Sequence, residues 1–158
     1  MSISIQNITE TDLTSVIDLM RGFAEYEKLV EYCTVTEPRL HTAMFGPRAF
    51  VEGLIVLDGT KPVAYALYYP NFSSFRGERG LYLEDIYISS EYRRHDLGEK
   101  MLRIIARAAR ERGLERIDFL VLDWNEPAVN FYLKHGAERN GDESHFKFAG
   151  DAFDRLAS

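Results

Sequence analysis

Apolar positions alternate with polar ones in some stretches of the chain and recur every three or four residues in others, and the switches between the two patterns predict the elements. Ile3, Ile5 and Ile8 suggest a first strand. Thr9-Glu10-Thr11-Asp12 has the Thr-x-x-Asp form of a helix start, and Leu13, Val16, Ile17, Met20, Phe23 and Ala24 then fall on one helical face. A shorter helix is expected near Glu37 to Phe45, broken by Gly46-Pro47. Phe50 to Leu57 and Val63 to Tyr69, joined by Asp58-Gly59-Thr60, predict an antiparallel hairpin, and Leu81 to Ile88 a further strand. From Leu97 onward Met101, Leu102, Ile105 and Ala108 mark an amphipathic helix that ends by Gly113. Ile117 to Leu122 reads as a strand. Asn125-Glu126-Pro127 then opens a short helix running to Gly136, with Pro127 where a first turn tolerates it. A last strand is expected near Ser144 to Phe148, before a short tail.

In that order the elements predict an α+β fold whose mixed sheet has a parallel segment in its second half. Leu81 to Leu122 is long enough for a right-handed βαβ crossover. Ligands of such sheets sit at the C-terminal ends of parallel strands, next to a helix N-terminus. No repeat, low-complexity tract or linker interrupts the chain, so residues 1–158 are expected to form a single domain.

Composition narrows the function classes. The net charge of −6 argues against a nucleic-acid partner and for a cationic one. No apolar run reaches the ~18 residues that span a bilayer, and the start is not basic, so neither anchor nor secretory signal is expected and the cytoplasm is the default location. The one cysteine, Cys33, has no partner for a disulfide and no Cys or His at metal-ligand spacing, which makes it a structural thiol. His41, His95, His135 and His145 are scattered, and no metal site or catalytic histidine is assigned.

The stretches LYLEDIYISSEYRRHDLGEKML and FLVLDWNEPAVNFYLKHGA, with FAEYEKL on the first helix, resemble the GNAT superfamily of N-acetyltransferases. Within it the chain is most similar to the diamine (spermidine/spermine) acetyltransferases and their thialysine-acetylating relatives. The resemblance runs in order through nearly the whole chain, and WNEPAVNFY is its most specific segment. It implies a mixed, splayed β-sheet flanked by helices, acetyl-CoA as acetyl donor, a small cationic amine as acceptor and a homodimer. Position by position it implies that backbone groups of Ile86, Tyr87 and Ile88 bind the acetyl-pantetheine end. Arg93, Arg94, His95, Asp96, Leu97, Gly98 and Glu99 would then surround the pyrophosphate, while Asn125, Glu126, Pro127 and Ala128 contact the donor from another strand. Tyr132 would be the general acid for the departing thiolate and would touch the donor too. Glu84, with Tyr26 and Glu27, would hold or deprotonate the amine, helped by Asp118, Phe119, Leu120 and Glu143.

The chemistry asks for these residue types independently. An alkylammonium has a pKa near 10.4, so about one molecule in a few thousand is a free nucleophile at neutral pH and a carboxylate must remove the proton. A thiolate with pKa near 8.5 gains from a phenol of pKa about 10 within hydrogen-bond reach. Each residue also has a plainer reading: Glu84-Asp85 as a solvated pair on a strand edge, Glu25, Glu27 and Glu31 as a solvated helix face, Tyr132 as a packed aromatic.

One position departs from the related loop pattern, which reads Arg or Gln, two residues of any kind, Gly, any residue, then Gly or Ala. The chain has Asp96 at the first glycine and Gly98 at the second. Asp96-Leu97-Gly98-Glu99 has capping-box spacing, and the plainer reading of it is that Asp96 accepts N–H bonds from the first helical turn. A carboxylate there repels a diphosphate by about 1 to 4 kcal/mol at ~4 Å, offset in part by Arg93, Arg94 and His95. Two functions stand at this point: a working acetyltransferase whose Asp96 side chain turns outward, or a polyamine-binding or interaction module with impaired donor binding. Acetylation of an amino-acid or protein amine is a variant of the first.

Overall fold

The computed structural model describes all 158 residues. The first strand, β1, is Ile3–Asn7. After it, Thr9 N donates to the Asp12 carboxylate at 2.7 Å and Asp12 N to the Thr9 carbonyl at 3.0 Å. This reciprocal pair shapes one 3₁₀ turn that feeds α1, Leu13–Tyr26. Leu13, Val16, Ile17 and Leu19 are buried, and Met20 and Phe23 pack beside them. The predicted face is therefore the packed one. Helix α2, Glu37–Phe45, is capped by Thr36 and carries Pro38 in its first turn.

Strands β2 (Glu52–Asp58), β3 (Lys61–Ser73) and β4 (Glu78–Ile88) form an antiparallel meander, and β1 adds to the outer edge of β2. Helix α3, Leu97–Glu111, then returns the chain to β5, Arg116–Asp118, which pairs with β4 in parallel. The sheet order is β1-β2-β3-β4-β5, a mixed sheet with flanking helices as expected. Both faces are covered. Ala64, Ala66 and Tyr68 of β3 pack with Leu97, Met101, Ile105 and Ala109 of α3. Tyr65 and Leu67 pack with α1 and α2 on the other side. Burial on both faces explains why Val63 to Tyr69 is nearly all apolar instead of alternating.

Contacts divide the chain into two compact units, Met1–Leu120 and Val121–Ser158. The second holds α4, Glu126–Lys134, and α5, Asp151–Ala157. Two expectations need correction. The strand expected over Ile117 to Leu122 is only Arg116–Asp118, because β4 pairs with it at Gly80, Leu81 and Tyr82 alone. The strand expected near Ser144 to Phe148 does not form, and its residues are exposed. Alternating Phe146 and Phe148 supply an apolar side, but a strand also needs a partner for its backbone groups. The short tail, for which no element was predicted, holds the helix α5, with Asp151 and Asp154 in its first turn where the helix dipole favours them.

Candidate active site

The site begins where β4 loses its parallel neighbour. Gly80 lets β4 and β5 approach closely: a Cβ there would lie 2.4 Å from the Arg116 carbonyl oxygen. Past Tyr82 no strand flanks β4 on that side. Ser89 N donates to Val63 O at 2.9 Å, so in the alternation of an antiparallel ladder Tyr87 and Asp85 turn their backbone groups to β3. Ile86 and Ile88 therefore turn theirs to the open edge. The Ile88 carbonyl there accepts from Arg93 Nε at 3.0 Å.

The same strand carries a bulge. Leu67 pairs with Asp85 but Tyr68 with Leu83, which leaves Glu84 as an extra residue. Before the bulge Leu81 and Leu83 face the α3 core, and after it Ile86 and Ile88 do. Glu84 and Asp85, adjacent in sequence, are thus both turned to the α1 side. Each meets a tyrosine of β3: Tyr69 donates its hydroxyl to Glu84 Oε2 at 3.0 Å, and Tyr65 to Asp85 Oδ2 at 2.8 Å. Glu84 is exposed, whereas Asp85 is half-buried. Burial pushes the Asp85 carboxyl up to about 6, against the opposing effect of the Tyr65 hydrogen bond. Glu27, at the C-terminal end of α1, is raised as well, first by burial and then by the charge of Asp85. Burial, followed by the neighbouring carboxylates, drives the phenols of Tyr65 and Tyr69 far above their ordinary value. On the same side the rings of Phe23 and Tyr87 stack with centroids 5.3 Å apart.

The loop into α3 takes one of the two forms open to it. Asp96 has φ 56° and ψ 20°, the left-handed conformation that favours glycine, and its side chain makes no capping bond. No capping box forms: the Asp96 carbonyl accepts from Lys100 N at 3.0 Å, and Glu99 binds Arg103 at 2.7 and 2.9 Å. The carboxylate of Asp96 thus leaves the amides of the first helical turn uncapped. Arg93 turns away from this mouth. Its guanidinium lies 4.4 Å from the ring centre of Tyr26 and 5.8 Å from that of Tyr87. Arg94 and His95 are exposed.

The structure brings Tyr26, Glu27, Glu84 and Arg93 to the α1 side of the open β4 edge. Asp118 lies on β5 and is already engaged: Arg116 Nε and NH2 reach its two oxygens at 2.9 Å, and Asn71 Nδ2 donates at 2.8 Å. The Arg116 hydrogen bond holds its carboxyl below the ordinary range. Phe119 packs on the core and Leu120 is exposed. In the second unit, Asn125 is buried and its Oδ1 accepts from Ala128 N at 3.4 Å, so Asn125-Glu126-Pro127 builds the start of α4. Tyr132 lies on α4 beside Phe131, ring centres 5.3 Å apart, and Glu143 is exposed in the segment between α4 and α5. Asp85, Tyr65 and Tyr69 were not singled out from sequence. The available signal was two consecutive charged residues inside an apolar strand, which only a bulge can place on one side.

Comparison with known proteins agrees with this architecture. The model of the Acetyltransferase (GNAT) family matches residues 14–137. Thialysine N-epsilon-acetyltransferase of Sus scrofa is 35% identical, covering 99% of this chain and 98% of that protein. The Bos taurus enzyme of the same name is 34% identical over 98% and 97%. An integron cassette protein from the mobile metagenome of V. cholerae shares the fold, with a TM-score of 0.81 at 20% identity over 99% and 98% of the two chains. With its mixed sheet, open β4 edge and family match over most of its length, the chain belongs to the GNAT family and is an acetyltransferase.

Proposed function

We propose that this chain is an acetyl-CoA-dependent N-acetyltransferase for the primary amine of a small cationic acceptor, polyamine or thialysine-like, working by direct transfer in a ternary complex with residues 1–158 as one domain. The observation that carries the reading is the bulge at Glu84, which turns two carboxylates to one side of a strand whose other edge is open. Two features of the chain fit the donor. Outer-edge groups at Ile86 and Ile88 suit an extended, amide-bearing arm, and the uncapped first turn of α3 suits a diphosphate. When bound, acetyl-CoA supplies an acyl group activated as a thioester.

The residues divide the work as follows. Ile86 and Ile88 would hold the acyl end through their edge groups, one N–H serving the oxygen on which negative charge grows, and Tyr87 between them keeps the strand on β3. Leu97, Gly98 and Glu99 offer backbone donors to the diphosphate, while Arg94 and His95 offset its charge. Asn125, Glu126, Pro127 and Ala128 contact the donor from the start of α4, and Tyr132 Oη holds the proton destined for the leaving sulfur. Tyr26, Glu27 and Glu84 hold the ammonium. Glu143, Phe119 and Leu120 shape the acceptor end. Asp118 takes a structural part through its pairing with Arg116. A homodimer in the cytoplasm completes the proposal; no helix is long and apolar enough to cross a membrane.

The rival reading, a polyamine-binding module with impaired donor binding, drew on Asp96 both as a cap and as a charge; Asp96 caps nothing, which leaves the charge alone to support it. Calorimetry with acetyl-CoA tests this: binding is expected at or below the high micromolar range, and no heat at millimolar donor would overturn the reading. An acceptor panel of thialysine, spermidine, spermine, ornithine and a lysine-rich protein, followed by thiol release, separates the amine classes. Turnover with the small cationic amines is expected.

A further inference from the structure

We propose that the outer face of α3 is a binding site for the 3′-phosphate of the donor, held by Lys100 and Arg107 with Arg103 between them; this rests on the acetyl-transfer reading above. Coenzyme A carries that phosphate monoester on its adenosine, one ribose away from the diphosphate assigned to the mouth of the helix. Opposite the buried Leu97, Met101, Ile105 and Ala109, the helix presents Lys100, Arg103, Arg107 and Arg110, all exposed and three or four residues apart. This face begins one turn below Asp96, whose carbonyl accepts from Lys100 N at 3.0 Å. At 1.5 Å per residue, Lys100 to Arg107 covers about 10 Å of it.

A solvated surface is the plainer explanation of a charge run, and three features oppose it here. Leu97–Glu111 holds four cations and two anions in a chain whose net charge is −6, so the face runs against the composition. Neighbours along it are alike: Lys100 meets Arg103, Arg103 meets Arg107 and Arg107 meets Arg110, and each like-charged pair at this spacing weakens a helix. Lys100 closes the first turn, where the helix dipole disfavours a cation. Of the four, Arg103 alone is in an ion pair, with Glu99 at 2.7 Å. A dianion seated between Lys100 and Arg107 relieves the repulsion and reverses the dipole effect together. It also answers the charge of Asp96: the carboxylate that repels the diphosphate stands one turn above cations that attract the separate 3′-phosphate.

Two binding measurements on the full chain test the assignment. By calorimetry, wild type should bind 3′-dephospho-CoA about tenfold or more weakly than CoA at low salt, and the ratio should shrink near 0.15 M, where the screening length is about 8 Å. The double variant Lys100→Ala, Arg107→Ala should bring that ratio close to one, and it should fold, since both side chains are exposed. Arg76→Ala, which removes an exposed cation from the turn between β3 and β4, should keep the wild-type ratio. In wild-type protein the ³¹P resonance of bound CoA should show the 3′-phosphate titrating at lower pH than in free CoA, because neighbouring cations favour the dianion. Equal affinity for the two ligands in wild type, a ratio that survives in the double variant, or an unshifted ³¹P midpoint overturns the proposal and leaves the transferase reading intact. So does an equal fall in the ratio from Arg76→Ala, which would assign the effect to net charge. A wild-type protein that binds neither ligand at millimolar concentration overturns both.

Discussion

The unit Met1–Leu120 and the unit Val121–Ser158 keep their apolar side chains in opposite places. In the first, Ile55, Val56, Val63, Tyr65 and Ile105 are fully enclosed between a sheet and helices on both faces. In the second the one buried residue is polar, Asn125, while Phe146 at 88%, Phe148 at 68% and Leu156 at 64% face outward. Periodicity reports burial only where a second layer exists to be buried against. Seen alone, the alternation at Ser144 to Phe148 and the helical spacing from Leu97 are equally good patterns; only the latter has a sheet beneath it.

The largest expected effect is a test of that contrast. Ile105→Ala removes a fully buried side chain from the α3 face and should cost about 2–5 kcal/mol in denaturant unfolding. Phe146→Ala and Phe148→Ala should stay within about 0.5 kcal/mol, as surface changes do. A loss above about 1 kcal/mol for either phenylalanine, especially one that grows with protein concentration, would break the comparison and show that a second copy covers the segment.

A smaller effect sharpens the comparison inside the first unit, where the carboxylate of Asp85 is held against the interests of stability. Asp85 is raised from 3.8 to about 6 in the folded protein, so between those values the native state binds more protons than the unfolded one. Stability from this group is therefore greatest below pH ~4 and declines as pH rises through 6. Asp85→Asn should accordingly raise stability by about 1–3 kcal/mol at pH 8, with the gain fading by pH 4. Thermal unfolding at the two pH values measures it, and an equal gain at both would show that the carboxylate is not strained by burial.

How much of this was legible follows the same physical line. The α1 face, the β2–β3 hairpin and the crossover from β4 through α3 to β5 were readable because each buries a periodic stripe. The order of the motifs named Glu84, Glu27, Tyr26 and the α3 mouth, and the structure brings Tyr26, Glu27 and Glu84 to one side of β4. The bulge was not readable, since a register shift depends on how β3 and β4 pair and leaves no periodic trace; with it went Asp85 and its tyrosine. The partners of Asp118 were unreadable for a related reason: Arg116, two positions away, and Asn71, on β3, gather around it only once β5 has docked.

The smallest effect concerns the loop where sequence and structure differ most instructively. Capping-box spacing allowed Asp96 to occupy helix donors, yet its backbone is left-handed and its side chain makes no capping bond. A non-glycine residue in that region carries about 1 kcal/mol of strain, less for Asp than for most, because its short polar side chain finds local hydrogen bonds. Asp96→Gly removes the strain but frees the unfolded chain, so its net effect on stability should be within about 1 kcal/mol of zero. The charge argument survives the correction, because an exposed carboxylate beside the helix mouth still repels a diphosphate even when it caps nothing. The variant should therefore bind acetyl-CoA up to about tenfold more tightly at low salt, and the advantage should shrink as salt rises. A gain that salt leaves unchanged would assign the effect to backbone freedom instead of charge, and a weaker complex would mean that Asp96 contributes a contact that glycine cannot supply.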